Sequence, residues 1–194
     1  MSFQYETWAN LLTNLLRGKG LRFAEGLNEE EAGAVERLFN FRFPPDLKAL
    51  LQNALPISEG FVDWREGLHS SRAQRRLFGR MKAPLEGFLF DVENNGFWFD
   101  GWGDEPSTSS ERRACVERAF ADYPTMIPVY SHRYLPDSPC ETGNPVFSIH
   151  QTDIIYYGYD LASYLAAEFG LPLPKFFHTP EEPKAIAFWG DITS

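Results

Sequence analysis

The residues best suited to chemistry are concentrated in one acidic and aromatic segment, from position 83 to 110. No Lys or Arg occurs there, whereas six carboxylates do: Glu86, Asp91, Glu93, Asp100, Asp104 and Glu105. The same segment holds six large rings: Phe88, Phe90, Phe97, Trp98, Phe99 and Trp102. Carboxylates attract a basic partner over a distance, and buried rings supply much of the binding energy at protein interfaces. The composition therefore predicts recognition of a basic protein.

The order of residues within the segment separates its core rings from its surface rings. Residues 88 to 92 alternate between ring or valine and other residues, as in a half-buried strand. We therefore expect Phe88, Phe90, Phe97 and Phe99 in the core. The two tryptophans fall on the other phase or in a loop and are the better surface candidates. The predicted protein-binding residues are Trp98, Asp100, Trp102, Asp104 and Glu105.

A second group of polar residues permits an alternative function. His132, Arg133, His150 and Asp153 could line a cleft in a small hydrolase or a ligand-binding enzyme. His150 and Asp153 flank a predicted turn, where two such groups more often form a simple cross-strand hydrogen bond. The enzyme hypothesis therefore stands second to the binding hypothesis.

Other known catalytic and cofactor motifs are missing from the sequence. It contains neither of the glycine-rich phosphate loops, GxGxxG and GxxxxGKS/T. It also contains no HExxH or CxxC metal pair and no GxSxG nucleophile motif. We therefore predict a protein that is not an enzyme and that has no cofactor and no metal. The basic run from Arg72 to Lys82 is expected to be a solvated helix face rather than a phosphate site. Cys115 and Cys140 are expected to be reduced thiols.

Charge and hydropathy limit the possible partners. The 194 residues include 18 basic and 27 acidic side chains, which gives a net charge of −9. That balance disfavours nucleic acid and anionic membranes as partners and favours basic proteins. The N-terminus does not resemble a secretion signal, and no run approaches the roughly 20 apolar residues of a membrane span. We therefore expect a cytoplasmic protein.

The first third of the chain is predicted to be mainly helical. Trp8, Leu11, Leu12, Leu15 and Leu16 have the spacing of one helix face, and this helix is predicted to run to about Gly18. A second helix should begin after Asn28, where Glu31 completes a capping box, and a third at the Pro44-Pro45 pair.

Two hairpins and two further helices follow in the prediction. Asn95-Gly96 favours a type I′ turn between strands at 87–92 and 97–99, preceded by a helix from Ser71 to Lys82. Thr108 should cap a helix that precedes a strand at 126–130. The second hairpin pairs 146–150 with 154–157 and places His150 opposite Asp153. Asp160 should then cap a helix that stops at Gly170. Gly60 to Trp64 is a weaker strand candidate.

These elements predict an α+β fold, with a central antiparallel sheet flanked by several helices in a single domain of residues 1–194. A proline-rich C-terminal extension, 171–194, is expected to cross the surface until Ala185 to Trp189 packs back.

The order of several segments resembles the SUKH superfamily, the Smi-Knr type of domain, and its bacterial members in particular. The resemblance rests on the amphipathic start and on the segments FRFPPDLKALLQNALPISEGFVDW at 41–64, FWFDGWGDEP at 97–106, MIPVYSHRYLP at 126–136 and GNPVFSIHQTDIIYYGYDLASYL at 143–165. It covers about residues 28–169, which places the core of the domain there, and it implies an α+β binding module without an active site. Many bacterial members are immunity proteins that neutralise toxins, often nucleases. The resemblance thus implies a toxin as the basic partner.

Overall fold

Helices occupy most of the first two thirds of the chain, and the four strands of the central sheet follow residue 125. The computed structural model describes residues 3–177 and 179–193. Its helices are α1 Phe3–Gly18, α2 Glu29–Phe39, α3 Pro45–Asn53, α4 Trp64–His69, α5 Ser71–Asn94, α6 Ser109–Asp122 and α7 Leu161–Phe169, with a 3-10 turn at Asp100–Trp102. Its strands are β1 Phe23–Glu25, β2 Ala54–Pro56, β3 Met126–Tyr130, β4 Arg133–Pro136, β5 Val146–His150 and β6 Asp153–Gly158.

Capping residues set the helix ends where the sequence predicted them. The Asn28 side chain accepts from the Glu31 amide, and the Glu31 carboxylate accepts from the Asn28 amide, which completes the capping box of α2. Thr108 caps α6, and Asp160 caps α7 in a second reciprocal pair with Ser163. Gly170 ends α7 in the left-handed conformation, with φ of 62°. These predictions are confirmed.

The predicted hairpin around Asn95-Gly96 is wrong, because its first strand belongs to the 24-residue helix α5. Leu85, Phe88, Leu89 and Val92 follow helical spacing and pack into the core from one side of α5. Residues 97–99 are not in a strand either. Asn95 and Gly96 end the helix instead, and Gly96 supplies the positive φ of 68°. The helix predicted from Ser71 to Lys82 is therefore the first half of α5.

The central sheet has four antiparallel strands in the order β3-β4-β5-β6. Its last hairpin has the predicted register, with His150 opposite Asp153 and Ile149 opposite Ile154. The strand predicted at 126–130 is confirmed as β3, whereas β4 was not predicted. The α+β fold with a central antiparallel sheet and flanking helices is thereby confirmed.

A second, two-stranded sheet joins β1 to β2 near the N-terminus. Both strands have only three residues, too few for a recognisable sequence pattern. The strand predicted from Gly60 to Trp64 is wrong: Phe61 forms a single bridge to Tyr130, and Trp64 begins α4.

The central sheet is covered on both faces, so the domain has two apolar clusters. Ile127, Leu135 and Val146 belong to the cluster that contains residues of α1, α2, α3 and α7. Tyr134, Phe147 and Ile154 belong to the second cluster, with residues of α5 and α6 and of the C-terminal segment. That segment returns to the core as predicted, because Ile186, Phe188 and Trp189 are buried. The acidic stretch at 97–105 lies beside this second cluster.

In the part of the chain that the structure describes, no helix is both long enough and apolar enough to cross a bilayer.

Candidate protein-binding site

The loop from residue 97 to 105, hereafter the acidic loop, is fixed at both ends by helices. At its start, the backbone amides of Asn95 and Phe97 both donate to the carbonyl of Asp91 in the last turns of α5. The 3-10 turn then closes with the Trp102 amide donating to the Phe99 carbonyl. After the loop, Thr108 caps the start of α6. The loop therefore presents its side chains from a defined backbone.

The two tryptophans of the acidic loop lie together, as a joint surface requires. Their ring centroids are 5.1 Å apart in an edge-to-face arrangement. The Trp98 indole N–H donates to the Gly103 carbonyl at 2.8 Å, and the Trp102 indole N–H donates to the Tyr123 hydroxyl at 3.0 Å. Both side chains are half-buried. A partner would therefore meet the ring surfaces, because both polar groups are already satisfied.

Trp102 is also held from below by the second apolar cluster. Its ring stacks with that of Phe188, with 6.4 Å between the ring centroids and 23° between the ring planes. The Phe188 ring in turn stacks on the Tyr123 ring, with 3.8 Å between their centroids. Sequence reasoning did not identify Tyr123 or Phe188 as supports, since both are distant from the loop in the chain. The spacing of Phe120 and Tyr123 at the end of α6 and the apolar stretch at 185–189 were the available signals.

Gly101 is required by the close approach of a neighbouring ring. A Cβ atom at this position would lie 2.3 Å from Cε1 of Phe99. A side chain at position 101 would clash with this ring unless the ring moved, so glycine permits the tight turn between Asp100 and Trp102.

Two of the three predicted loop carboxylates are exposed and free of ion pairs within the described residues. These are Asp100 and Asp104. Glu105 is exposed too, but its carboxylate lies 3.4 Å from the guanidinium of Arg112 on α6. The guanidinium partly offsets the charge of this carboxylate, which therefore attracts a basic partner less strongly. Asp100 and Asp104 are thus the charges most available to a partner.

The acidic segment is less acidic in three dimensions than in sequence. Arg113 on α6 lies 3.4 Å from Glu93 and also pairs with Glu117. A groove of about 310 Å³ beside Trp102 is lined by both a base, Arg118, and an acid, Asp122. The bases of α6 therefore offset part of the negative charge that the segment carries in sequence.

Asp91 has a structural role instead of a place on the acidic surface. It is 4% exposed, and its Oδ2 accepts from the Thr152 amide at 3.0 Å and from the Thr152 hydroxyl at 2.7 Å. Burial raises the pKa of this carboxyl, but the hydrogen bonds from Thr152 and Asn95 outweigh burial, so its pKa lies below the usual value. Asp91 joins the end of α5 to the tip of the β5–β6 hairpin.

The placement of the phenylalanines follows from the helical conformation of α5. Phe88 is fully buried, as expected, whereas Phe90 is 48% exposed and the prediction of a core position is wrong. In a helix, residues two apart point in different directions, so only one of the pair can face the core. Phe97 and Phe99 are half-buried and pack against the second apolar cluster.

The four residues of the alternative enzyme site have different environments. His150 and Asp153 are exposed at the hairpin tip and line a cavity of about 470 Å³ with Asp91 and Thr152. Arg133 is engaged elsewhere: it lies 3.3 Å from the Glu168 carboxylate and 3.8 Å from the centre of the Tyr157 ring. Its existing contacts would compete with a substrate.

His132, the fourth residue of the alternative enzyme site, directly precedes Arg133 in the chain. Its Nδ1 lies 3.2 Å from the Ser131 hydroxyl. Burial, followed by the charges of Arg133 and His150, lowers the pKa of this imidazole. Those influences favour its neutral form.

The basic run on α5 is largely the solvated face that the sequence predicted. Arg72, Arg75, Arg76 and Lys82 are exposed. Arg80 differs, since it is half-buried and donates to the backbone carbonyls of Gly60 and Ser131. Burial accordingly lowers the pKa of Arg80.

The described residues form no metal site and no disulfide. No group of three or more His, Cys, Asp or Glu side chains within those residues could hold a metal ion. Cys115 and Cys140 are both free thiols, as predicted.

Comparison with known proteins adds no assignment: no protein-family model, curated protein or solved structure matches the chain.

Proposed function

We propose that this protein is a non-enzymatic protein-binding module that binds a basic protein through the tip of the acidic loop. One observation carries the proposal: Asp100 and Asp104 are exposed, without an ion pair among the described residues, beside two tryptophans held in a fixed arrangement. Charges of this kind attract a basic partner, and an adjacent ring supplies apolar contact area.

The fixed shape of the loop favours tight binding. Association costs free energy for every side chain and loop that becomes ordered. The hydrogen bonds of both indole groups and the stack of Trp102 on Phe188 already order this loop in the free protein. Less free energy is then lost on binding, and the net charge of −9 accelerates the encounter with a basic protein.

The narrower form of the proposal is an immunity-type protein that neutralises a toxin, with a nuclease as the favoured toxin class. Its support is the resemblance of the segment order to the SUKH superfamily, together with the acidic surface. A nuclease must carry positive charge where it binds phosphates. A protein that covers this surface with carboxylates would exclude the nucleic acid substrate.

The test uses the protein product of a neighbouring toxin-like gene and charge-reversal variants. Asp100→Lys with Asp104→Lys should weaken the complex at least tenfold in calorimetry, and binding of the unaltered protein should weaken as salt rises. Glu181→Lys with Glu182→Lys is the matched control, because it makes the same charge change at exposed residues of the C-terminal segment. Full-strength binding by the loop variant would refute the proposed surface.

A substrate screen separates this proposal from the enzyme alternative. His150→Ala and Asp153→Asn should leave toxin binding unchanged. A hydrolytic activity of the unaltered protein that both changes abolish would favour the enzyme instead.

A further inference from the structure

We propose that a second site, a cavity between α1, the start of α3 and residue 142, binds a small organic cation. The ligand class is an alkylammonium or guanidinium group about the size of a lysine or arginine side chain. The cavity has a volume of about 240 Å³ and is lined by Tyr5, Trp8, Asp46, Thr142 and Phe176. This inference does not rest on the acidic loop or on the proposed function.

The chemical centre of the cavity is the carboxylate of Asp46. This residue is 2% exposed, lies in the first turn of α3 and forms no ion pair with a described residue. Its Oδ1 accepts from the Leu47 amide and its Oδ2 from the Gly143 amide, each at 2.9 Å. Those two bonds fix the orientation of the carboxylate. Each oxygen still has acceptor capacity for a further donor.

The buried charge of Asp46 is incompletely compensated in the free protein. Burial raises the pKa of its carboxyl, although the amides of Gly143 and Leu47 act in the opposite direction. The nearby carboxylate of Asp160 raises the pKa further. A cation in the cavity would offset the cost of burying this negative charge.

Aromatic rings supply the other walls. Trp8 is half-buried, Phe176 is 51% exposed, and the Tyr5 hydroxyl lies 2.6 Å from the Thr142 hydroxyl. Ring faces attract cations, and the combination of rings with one carboxylate favours an organic cation over a hydrated metal ion. Lys184 is engaged by other acceptors, namely the Thr142 carbonyl at 2.6 Å and the Glu141 carboxylate.

The size of the cavity limits the ligand. Sites for drug-sized molecules occupy roughly 300 to 1,000 Å³, so this smaller cavity fits one side chain or a short amine. Such a ligand has few atoms, and we therefore expect a dissociation constant in the millimolar range. The source could be a free amine or a basic side chain of another protein, and the two require different probes.

Amide NMR spectra of the full chain test the site. The probes are n-butylamine, N-acetyl-lysine methylamide and, as the neutral control, N-acetyl-norleucine methylamide. Both amines should shift the Leu47 and Gly143 amide signals in a saturable way, and the neutral compound should not. If only butylamine does so, the ligand is a free amine; if both do, a protein side chain fits as well. Absence of a saturable shift with both amines would overturn the proposal.

Two variants and one matched control distinguish a binding site from a general charge effect. Asp46→Asn should raise the dissociation constant at least tenfold, whereas Glu6→Gln, which removes an exposed charge from α1, should leave it unchanged. Phe176→Leu removes one ring at a position that is 51% exposed, so it should leave the fold intact and weaken binding about threefold. Unchanged binding in the Phe176 variant together with unchanged binding or loss of folding in the Asp46 variant would contradict the inference.

Discussion

Trp98 and Trp102 are neighbours in the acidic loop, but their contacts give them different roles. Trp102 stacks on Phe188 and donates to Tyr123, so it belongs to the support of the loop. Trp98 also packs against the second cluster, but its ring pairs with Trp102 and its indole N–H donates within the loop, to the Gly103 carbonyl. We infer that Trp98 is the ring that meets the partner and that Trp102 holds it in place.

Truncation of each ring should separate these roles. If the proposed surface binds the toxin-like protein, Trp98→Ala should weaken that binding by roughly 2 kcal/mol, as for an interface anchor, and should lower the unfolding free energy by only about 1 kcal/mol. Trp102→Ala should lower the unfolding free energy by about 3 kcal/mol, because it removes a ring packed on the core. Calorimetry and urea unfolding measure the two effects. Unaltered affinity in the Trp98 variant would assign binding to another surface.

Glu31 shows how one carboxylate can join three elements. It completes the capping box of α2 and accepts two hydrogen bonds from Arg65 of α4, at 2.6 and 2.9 Å. Arg65 also donates to the carbonyls of Glu25 and Gly26 at the end of β1. The hydrogen bonds from Arg65 lower the pKa of Glu31 from 4.5 to about 2. The ionised form is therefore strongly preferred in the folded protein.

The stability contribution of Glu31 should depend on pH in one direction. Because its folded pKa is below its unfolded value, the contribution is complete above about pH 4.5 and is lost as the pH falls towards about 2. Glu31→Gln should lower the unfolding free energy by about 1 to 2 kcal/mol at neutral pH, since the pair is partly solvated. Urea unfolding measures this difference, which should shrink in acid. The exposed Glu30→Gln is the control, and an equal loss in that variant would contradict the assignment.

At the scale of elements, α5 connects the second cluster, the β5–β6 hairpin and the acidic loop. It contributes Phe88, Leu89 and Val92 to the second cluster, it holds the hairpin tip through Asp91, and its end begins the acidic loop. The helix also comes very close to β5–β6: a Cβ on Gly87 would lie 2.8 Å from Cα of Gln151. The contact is between backbones, so it cannot relax by a side-chain rotation.

Two glycines of the same helix should respond in opposite ways to alanine. A methyl group at Gly79 would have no atom within 4 Å, so Gly79→Ala should raise the unfolding free energy by about 0.5 to 1 kcal/mol through helix propensity. Gly87→Ala should lower it by about 1 to 3 kcal/mol, because the methyl group meets the hairpin. Urea unfolding of both variants provides the measurement. Stabilisation by both changes would show that α5 and the hairpin do not pack this closely.

The sequence predicts these elements well where their signals are local. Asn28, Thr108 and Asp160 act within one helical turn, and the 146–157 hairpin has short strands of clear composition, so all four predictions hold. The hairpin prediction for residues 87–99 failed because an Asn-Gly pair suits both a type I′ turn and a helix end. Pro84 also obscured the continuity of α5. Alternation of Phe88, Phe90 and Val92 then favoured the wrong periodicity.

The candidate sites depend on contacts that no local pattern encodes. In the sequence, nothing distinguishes Asp91 from the other acidic residues of its segment. In the structure, its carboxylate accepts a hydrogen bond from the Thr152 hydroxyl, 61 positions away. Asp46 likewise reads as an ordinary residue of a helix start, although Gly143 and the aromatic walls come from distant parts of the chain. The exposed part of the acidic loop was easier to predict, because Asp100 and Asp104 follow one another closely.

At the scale of the molecule, elements from distant parts of the chain support the acidic loop. The second cluster includes α5, α6 and the C-terminal segment, and Phe188 of that segment contacts Trp102. Trp189 is 2% exposed and donates to the Pro124 carbonyl, which attaches the segment to the start of β3. The distant end of the chain thus contributes directly to the shape of the proposed binding surface.

Hydrogen exchange on the complex with the toxin-like protein tests the central claim most directly, since it locates the contact without substitutions. We predict slower exchange of the backbone amides at residues 97–105 when the partner is bound, and recovery of the free rate as salt dissociates the complex. Protection confined to the β5–β6 hairpin, with unchanged exchange in the acidic loop, would contradict the account.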